Sequence, residues 1–268
     1  MIRYQLWDGD APGFDPAYGD FQPFMEVYPA KGDKPAPCIV IFPGGAYAMV
    51  SLWNEGYPIA ELVTKHGFAA AVVHYRVAPY AYPAPVLDAQ RAVRAVRYHA
   101  KEWGVDPDRI GTIGFSAGGH LCCMSALLFD DGLAQGDEID RTSCRISTAA
   151  PCYAVTSFDS AITHADTRKN FLGAENTDER AAAFSSENML RDDAPAFFIW
   201  HTATDGAVPV ACALRLADAL TRRRLSCELL IYPEGDHGLG LAQNTPLADA
   251  WPAAYLRWLD AQYHVDQE

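Results

Sequence analysis

The sequence predicts an α/β fold, a mostly parallel central sheet with helices on both faces. Three observations carry that prediction. Strand-like and helix-like segments alternate along most of the chain, as they do when crossover helices wrap a parallel sheet. Several of the strand-like segments are continuous apolar runs, which a strand needs when helices cover it on both sides. At 268 residues, 50% hydrophobic and 21% charged, the chain can build one large core, and no internal repeat divides it.

Taken in order, "FMEVYPA" (24–30) alternates as an early edge strand should, and "PCIVIF" (37–42) is a buried strand. "EGYPIAELVTKHG" (55–67) reads as a helix stopped by Gly67, and "FAAAVVHY" (68–75) as the next buried strand. From Ala84 to Trp103 one long helix is expected. Val86, Ala89, Val93, Val96, Ala100 and Trp103 fall on a single stripe, Pro85 suits the first turn and Gly104 the stop. Its other face carries Arg91, Arg94, Arg97 and Lys101, expected to be solvated on so acidic a protein.

"RIGTIG" (109–114) is a short buried strand and "HLCCMSALL" (120–128) an apolar helix. "ISTAAPCYAV" (146–155), "PAFFIWH" (195–201) and "CELLIYP" (227–233) are further strands. "VPVACALRLADALTRR" (208–223) is a helix, and "DAWPAAYLRWLDAQY" (249–263) closes the fold with Trp251, Tyr255, Trp258 and Leu259 inward. Between two of these strands, residues 156–193 are polar and helical only in pieces. That is too long for a plain connection, so it reads as a small cap or lid over the active edge of one domain spanning 1–268; a surface excursion is the alternative.

Composition excludes several functions. Acidic residues outnumber basic ones 34 to 21, a net charge of −13, which repels nucleic-acid backbones and anionic membranes. No apolar run is long enough to span a bilayer. The opening "MIRYQLWDGDAPGFDP" has neither the apolar core nor the cleavage site of a secretion signal. The seven cysteines are odd in number and lack C-x-x-C spacing, so neither a disulfide framework nor a zinc site is indicated. A cytoplasmic setting is expected, with no cofactor and no metal.

Ligands of open α/β sheets bind beyond the carboxyl ends of the strands. "GFSAGGH" (114–120) puts Ser116 between glycines where a strand turns into a helix, the context in which G-x-S-x-G marks a nucleophile; a Gly-rich turn with an incidental capping serine is the alternative. After "PCIVIF" comes "PGGAY" (43–47), small residues whose backbone N–H groups can line an oxyanion hole. Gly45 and Ala46 are the expected donors there, joined by Ala117 after the serine. Asp205 follows "PAFFIWH", and His237 follows "CELLIYP" in "EGDHGLGL" (234–241). Singly, each is more often a turn or surface residue. Together they run Ser, Asp, His along one sheet edge, the order of the α/β-hydrolase architecture.

"PGGAY", "HYRVAPY…YPAPVLDAQRAVRAVR", "GFSAGGH", "HTATDGAVPV" and "GDHGLGL" resemble the small bacterial α/β-hydrolase esterases related to acetyl-xylan and feruloyl esterases, and more distantly the hormone-sensitive-lipase-type esterases. The resemblance runs from about Phe24 to Leu241 and implies Ser116, Asp205 and His237 as the triad. Pro43 stands where lipase-type relatives have histidine, and Ala46 where many members have a third glycine. The expectation is a serine ester hydrolase for short acyl, above all acetyl, esters of sugars, taking a small-molecule or oligosaccharide substrate. An arylformamidase-type amide hydrolase with the same triad is the alternative, and a non-catalytic binding module a remote one. Tyr47, Trp53, Tyr80 and Tyr82 near the site read either as sugar-stacking rings or as rim packing.

Overall fold

The computed structural model of the chain describes residues 1–32 and 34–264. Eight strands form one sheet: β1 (Ile2–Gln5), β2 (Phe24–Tyr28), β3 (Ala36–Phe42), β4 (Ala69–His74), β5 (Val105–Phe115), β6 (Thr148–Cys152), β7 (Ala196–Thr202) and β8 (Cys227–Tyr232). Their spatial order is β1-β2-β4-β3-β5-β6-β7-β8. The first two pairings are antiparallel and the rest parallel.

The apolar runs have the expected cause. Along β3, Cys38, Val40 and Phe42 join one core layer, while Ile39 and Ile41 join the other, because successive side chains leave a strand on opposite faces. Helices α1 (Tyr57–Lys65) and α8 (Trp251–Tyr263) cover the second layer. The first is covered by α2 (Ala84–Tyr98), α4 (Ala117–Leu127) and α7 (Ala211–Arg222). The short α3 (Ala100–Trp103) continues the line of α2.

Four expectations need correction. Phe24–Tyr28 is not the edge strand, for β1 pairs outside it; β1 is four mostly exposed residues, IRYQ, too short for its alternation to announce it. The helix expected over 84–103 breaks at His99 (φ −90°, ψ 13°), whose ring stacks on Trp103 at 4.8 Å, although all six stripe residues are buried. The strand expected at 109–114 begins at Val105, with an irregular register against β3 between Ala36 and Cys38.

The largest departure is the arginine face. Arg91 and Arg94 are 3% and 2% exposed. Arg91 pairs with Asp137 and Asp140, and Arg94 with Asp130. Arg97 donates to the carbonyls of Pro107 and Arg145 at 3.0 and 2.6 Å. These arginines fasten the stretch 130–145 onto the helix; Lys101 alone of the four is exposed.

Between β6 and β7, residues 156–193 form α5 (Ala165–Leu172), α6 (Asp178–Ala183) and two 3-10 turns. Among the described residues, no helix is long and apolar enough to cross a membrane.

Candidate active site

The turn between β5 and α4 forces Ser116 to φ 52°, ψ −119°, a region that non-glycine residues seldom occupy and that costs of order 1–3 kcal/mol. Its backbone is held by surrounding hydrogen bonds. The Ser116 N–H donates to Cys152 O at 3.0 Å, and its carbonyl accepts from Gly119, His120 and Val155. The flanking glycines are needed for close approach. A Cβ on Gly114 would meet Gly118 O at 2.0 Å, and one on Gly118 would meet Phe42 O at 2.0 Å. Bare backbone thus lets strand, helix and the end of β3 close together and leaves the serine at the sheet edge.

Asp205 and His237 arrive from the loops after β7 and β8. His237 Nε2 lies 2.8 Å from Ser116 Oγ, and its Nδ1 lies 2.7 Å from Asp205 Oδ2. The other carboxylate oxygen accepts from the N–H groups of Ala207 and Val208, both at 2.9 Å. An ionised carboxylate facing Nδ1 assigns the ring proton to that nitrogen, so Nε2 is free to accept the serine hydroxyl proton. Burial works to raise the Asp205 carboxyl. The His237 hydrogen bond, the Val208 amide and the imidazole charge outweigh it and hold it below the usual range. The other nearby acids take no part: Asp193 pairs with Arg145 and Arg191, and Asp236 is exposed.

The loop after β3 supplies the third side. Gly45 adopts φ 126°, Ala46 φ 54° and Tyr47 φ 54°. A Cβ on Gly45 would stand 2.3 Å from Met49 O, so that position admits only glycine. The Gly44 N–H is occupied by Glu55 Oε2 at 2.8 Å. The N–H groups of Gly45 and Ala46, and that of Ala117 at the first turn of α4, have no acceptor among the described residues, as oxyanion donors require.

Four further residues around this site escaped the sequence reading because no spacing marks them. Glu55, 3% exposed, accepts from Tyr153 Oη at 2.7 Å besides Gly44. Tyr153 Oη in turn accepts from the Gly240 N–H at 2.9 Å. Asn170 of α5 donates from Nδ2 to Ala46 O at 2.8 Å. His120, fully buried and pushed down to about 4 by that burial, accepts from Tyr47 Oη at 2.9 Å on Nδ1 and donates to Phe184 O at 3.0 Å from Nε2. It lay within the "GFSAGGH" motif, but nothing in the motif told its role.

Of the two readings left open for the aromatics near the site, packing holds for three. Tyr47 is 1% exposed and Tyr80 8%, while Tyr82 packs on Phe184 at 4.4 Å. These three are packing residues. Trp53 is 86% exposed and touches the Tyr57 ring edge-on at 5.1 Å.

Comparison with known proteins extends these findings. The acetyl ester-xyloside bifunctional hydrolase of Caldicellulosiruptor lactoaceticus superposes with a TM-score of 0.94 at 38% identity, covering 99% of this chain and 97% of that one. The acetylxylan esterase of Xylanibacter ruminicola is 33% identical over 206 residues, 75% of this chain and 41% of the relative. Endo-1,4-beta-xylanase B of Butyrivibrio fibrisolvens is 30% identical over 270 residues, 99% of this chain and 41% of the relative. The chain therefore spans about 41% of the length of these two curated relatives. Residues 25–220 match the BD-FAE family. With that match over most of its length and an α/β-hydrolase sheet beneath it, the chain belongs to the BD-FAE family of α/β-hydrolases.

Proposed function

We propose that this chain is a serine carboxylesterase with Ser116 as nucleophile, His237 as general base and acid, and Asp205 as the orienting carboxylate. The observation that carries the reading is the unbroken relay of 2.8 Å from Ser116 to His237 and 2.7 Å from His237 to Asp205. Ser116 Oγ attacks the ester carbonyl while its proton passes to His237 Nε2. The N–H groups of Gly45, Ala46 and Ala117 receive the developing oxyanion. Collapse breaks the ester bond, and the imidazolium protonates the departing alcohol. Water activated by the same imidazole then releases the acid and restores Ser116.

The substrate in this reading is a short acyl ester, above all acetyl, on a sugar or xylo-oligosaccharide. Relatives named for acetyl ester and acetylxylan hydrolysis support it, and exposed Trp53 offers a ring for a sugar face. The space behind the oxyanion loop argues against long acyl chains. Phe158 and Phe171 are fully buried and pack on the His120 ring at 4.4 and 4.6 Å. A methylene contributes at most about 0.8 kcal/mol, and only where a channel buries it. In this reading, residues 156–193 act as a cap, with Asn170 holding the Ala46 peptide. Seven cysteines, all unpaired, favour a reducing, cytoplasmic setting.

A hydrolysis panel tests the proposal: p-nitrophenyl acetate through octanoate, acetylated xylo-oligosaccharides, methyl ferulate and formylkynurenine. Acetyl esters should give the highest kcat/KM and octanoate the lowest. A rise from acetate to octanoate, or a preference for the formamide, would overturn the substrate assignment.

A further inference from the structure

Beside the relay lies a buried carboxylate that it does not use, Glu55. Glu55 lies in the π-helical turn Leu52–Gly56, an uncommon geometry that recurs at functional sites. Each of its oxygens is fixed from a different side. Oε2 accepts from the Gly44 N–H at 2.8 Å, beside the oxyanion donors. Oε1 accepts from Tyr153 Oη at 2.7 Å. Because that phenol oxygen already accepts from the Gly240 N–H, its own proton must point to Glu55. Gly44 and Tyr153 both donate and the Ser51 side chain also bonds the carboxyl. These contacts favour its charged form, while burial, the largest influence, raises it.

The contacts span both catalytic loops. Gly240 follows His237 by three residues, and the adjacent Asn54 donates from Nδ2 to Gly238 O at 2.6 Å. Tyr153 stands edge-on to the His237 ring at 5.2 Å. A Cβ on Gly44 would lie 2.8 Å from Glu55 Oε2 and 3.0 Å from Ser116 Cβ, so the carboxylate and the nucleophile flank the same peptide unit. The titratable groups that face Glu55 are His237, Tyr153, Tyr75 and Cys152. Burial pushes the two phenols and the thiol up, keeping them neutral, so His237 is the neighbour whose charge changes in the reaction.

We propose that Glu55 is a positioning residue for this reaction: through Gly44 and Tyr153 it locks the oxyanion loop to the His237 loop, and its charge stabilises the imidazolium formed in the transition state. The proposal rests on the ester-hydrolase reading above. It also gives one physical reason for burying a carboxylate whose desolvation is otherwise offset by hydrogen bonds alone.

Kinetics of Glu55→Gln and Tyr153→Phe on p-nitrophenyl acetate across pH test it. Glu55→Gln should lower kcat about 100-fold, the scale of a misplaced or lost preorganising contact, with KM changed less than about threefold. The acid limb of its kcat/KM profile should also move to lower pH. Removing a negative charge beside His237 disfavours the imidazolium, so the base stays unprotonated further down the scale. Tyr153→Phe keeps the charge and the ring packing; it should lower kcat about tenfold with the acid limb in place. A lowered kcat with an unmoved limb in Glu55→Gln would mean structural damage alone and would overturn the charge role. Wild-type kcat and an unmoved limb in Glu55→Gln would overturn the proposal. Should that variant fail to fold, wild-type kcat in Tyr153→Phe would overturn it instead. Absence of ester turnover in the unaltered protein would mark failure of the esterase reading, a result distinct from either.

Discussion

The carboxyl edge of the sheet and the outward face of α2 both carry ionisable residues at regular places, yet only the first was legible. At the sheet edge, Ser116, Asp205 and His237 each follow a strand, and parallel strands all end on the same side. Topology therefore brings together residues 32 and 121 positions apart in the chain. On α2, helical spacing fixes which way Arg91 and Arg94 point but not what lies outside them. Their partners come from Asp130, Asp137 and Asp140, a loop whose path no periodicity encodes. Strand order predicts where residues meet, whereas helical period predicts only a direction.

Substitutions at the sheet edge should act on rate rather than stability. Ser116→Ala should lower kcat by about a millionfold while the thermal midpoint holds or rises, since a strained non-glycine side chain loses only its hydroxyl. Asp205→Asn should lower kcat by roughly ten-thousandfold, because the amide favours the wrong imidazole tautomer. A harmless Asp205→Asn, with activity lost instead on changing Asp193 or Asp236, would relocate the third member.

The α2 face should show the opposite signature. Arg94→Ala removes a 2% exposed guanidinium and frees Asp130, itself 36% exposed. Denaturant unfolding should register a loss of about 2–3 kcal/mol, below the fully buried case because water reaches the aspartate. Lys101→Ala, on the same expected face, should change stability by less than about 0.5 kcal/mol. Equal effects at the two positions would erase the distinction. Activity per folded molecule should be unchanged in both variants.

His120 joins the two regions in kind, a buried polar residue beside the site whose signature is stability. Burial pushes its folded value down to about 4, below the ordinary 6.5. The unfolded chain therefore takes up a proton that the folded one refuses, and stability is full above pH 6.5 and lost as pH falls toward 4. The loss attributable to this residue is up to about 3 kcal/mol. His120→Asn should flatten that part of the stability profile, measured by denaturant titration at several pH values. An unchanged slope would mean that other groups carry the acid sensitivity.

Much of the fold was legible because the core strands are apolar on both faces and the glycines around Ser116 have few other uses. That Ser116, Asp205 and His237 meet was legible for the topological reason above, and the open backbone at Gly45 and Ala46 because small residues follow a strand. Glu55, Tyr153 and Asn170 were not. Each acts through a contact that depends on how loops fold back: Glu55 to Tyr153 spans 98 positions and Asn170 to Ala46 spans 124. The edge strand β1 escaped for the opposite reason, since the alternation of four mostly exposed residues is too short to read. The role of Tyr47 and Tyr80 stayed open because aromatic identity does not distinguish a ring facing substrate from one facing Phe171 or Asp15.

The central claim is that Ser116 is activated, and covalent labelling tests it most directly. Intact mass measurement after incubation with a fluorophosphonate should show one adduct per chain. Peptide mapping should place it on Ser116, and Ser116→Ala should take none. An unlabelled wild-type protein, or an adduct that persists in Ser116→Ala, would contradict the account.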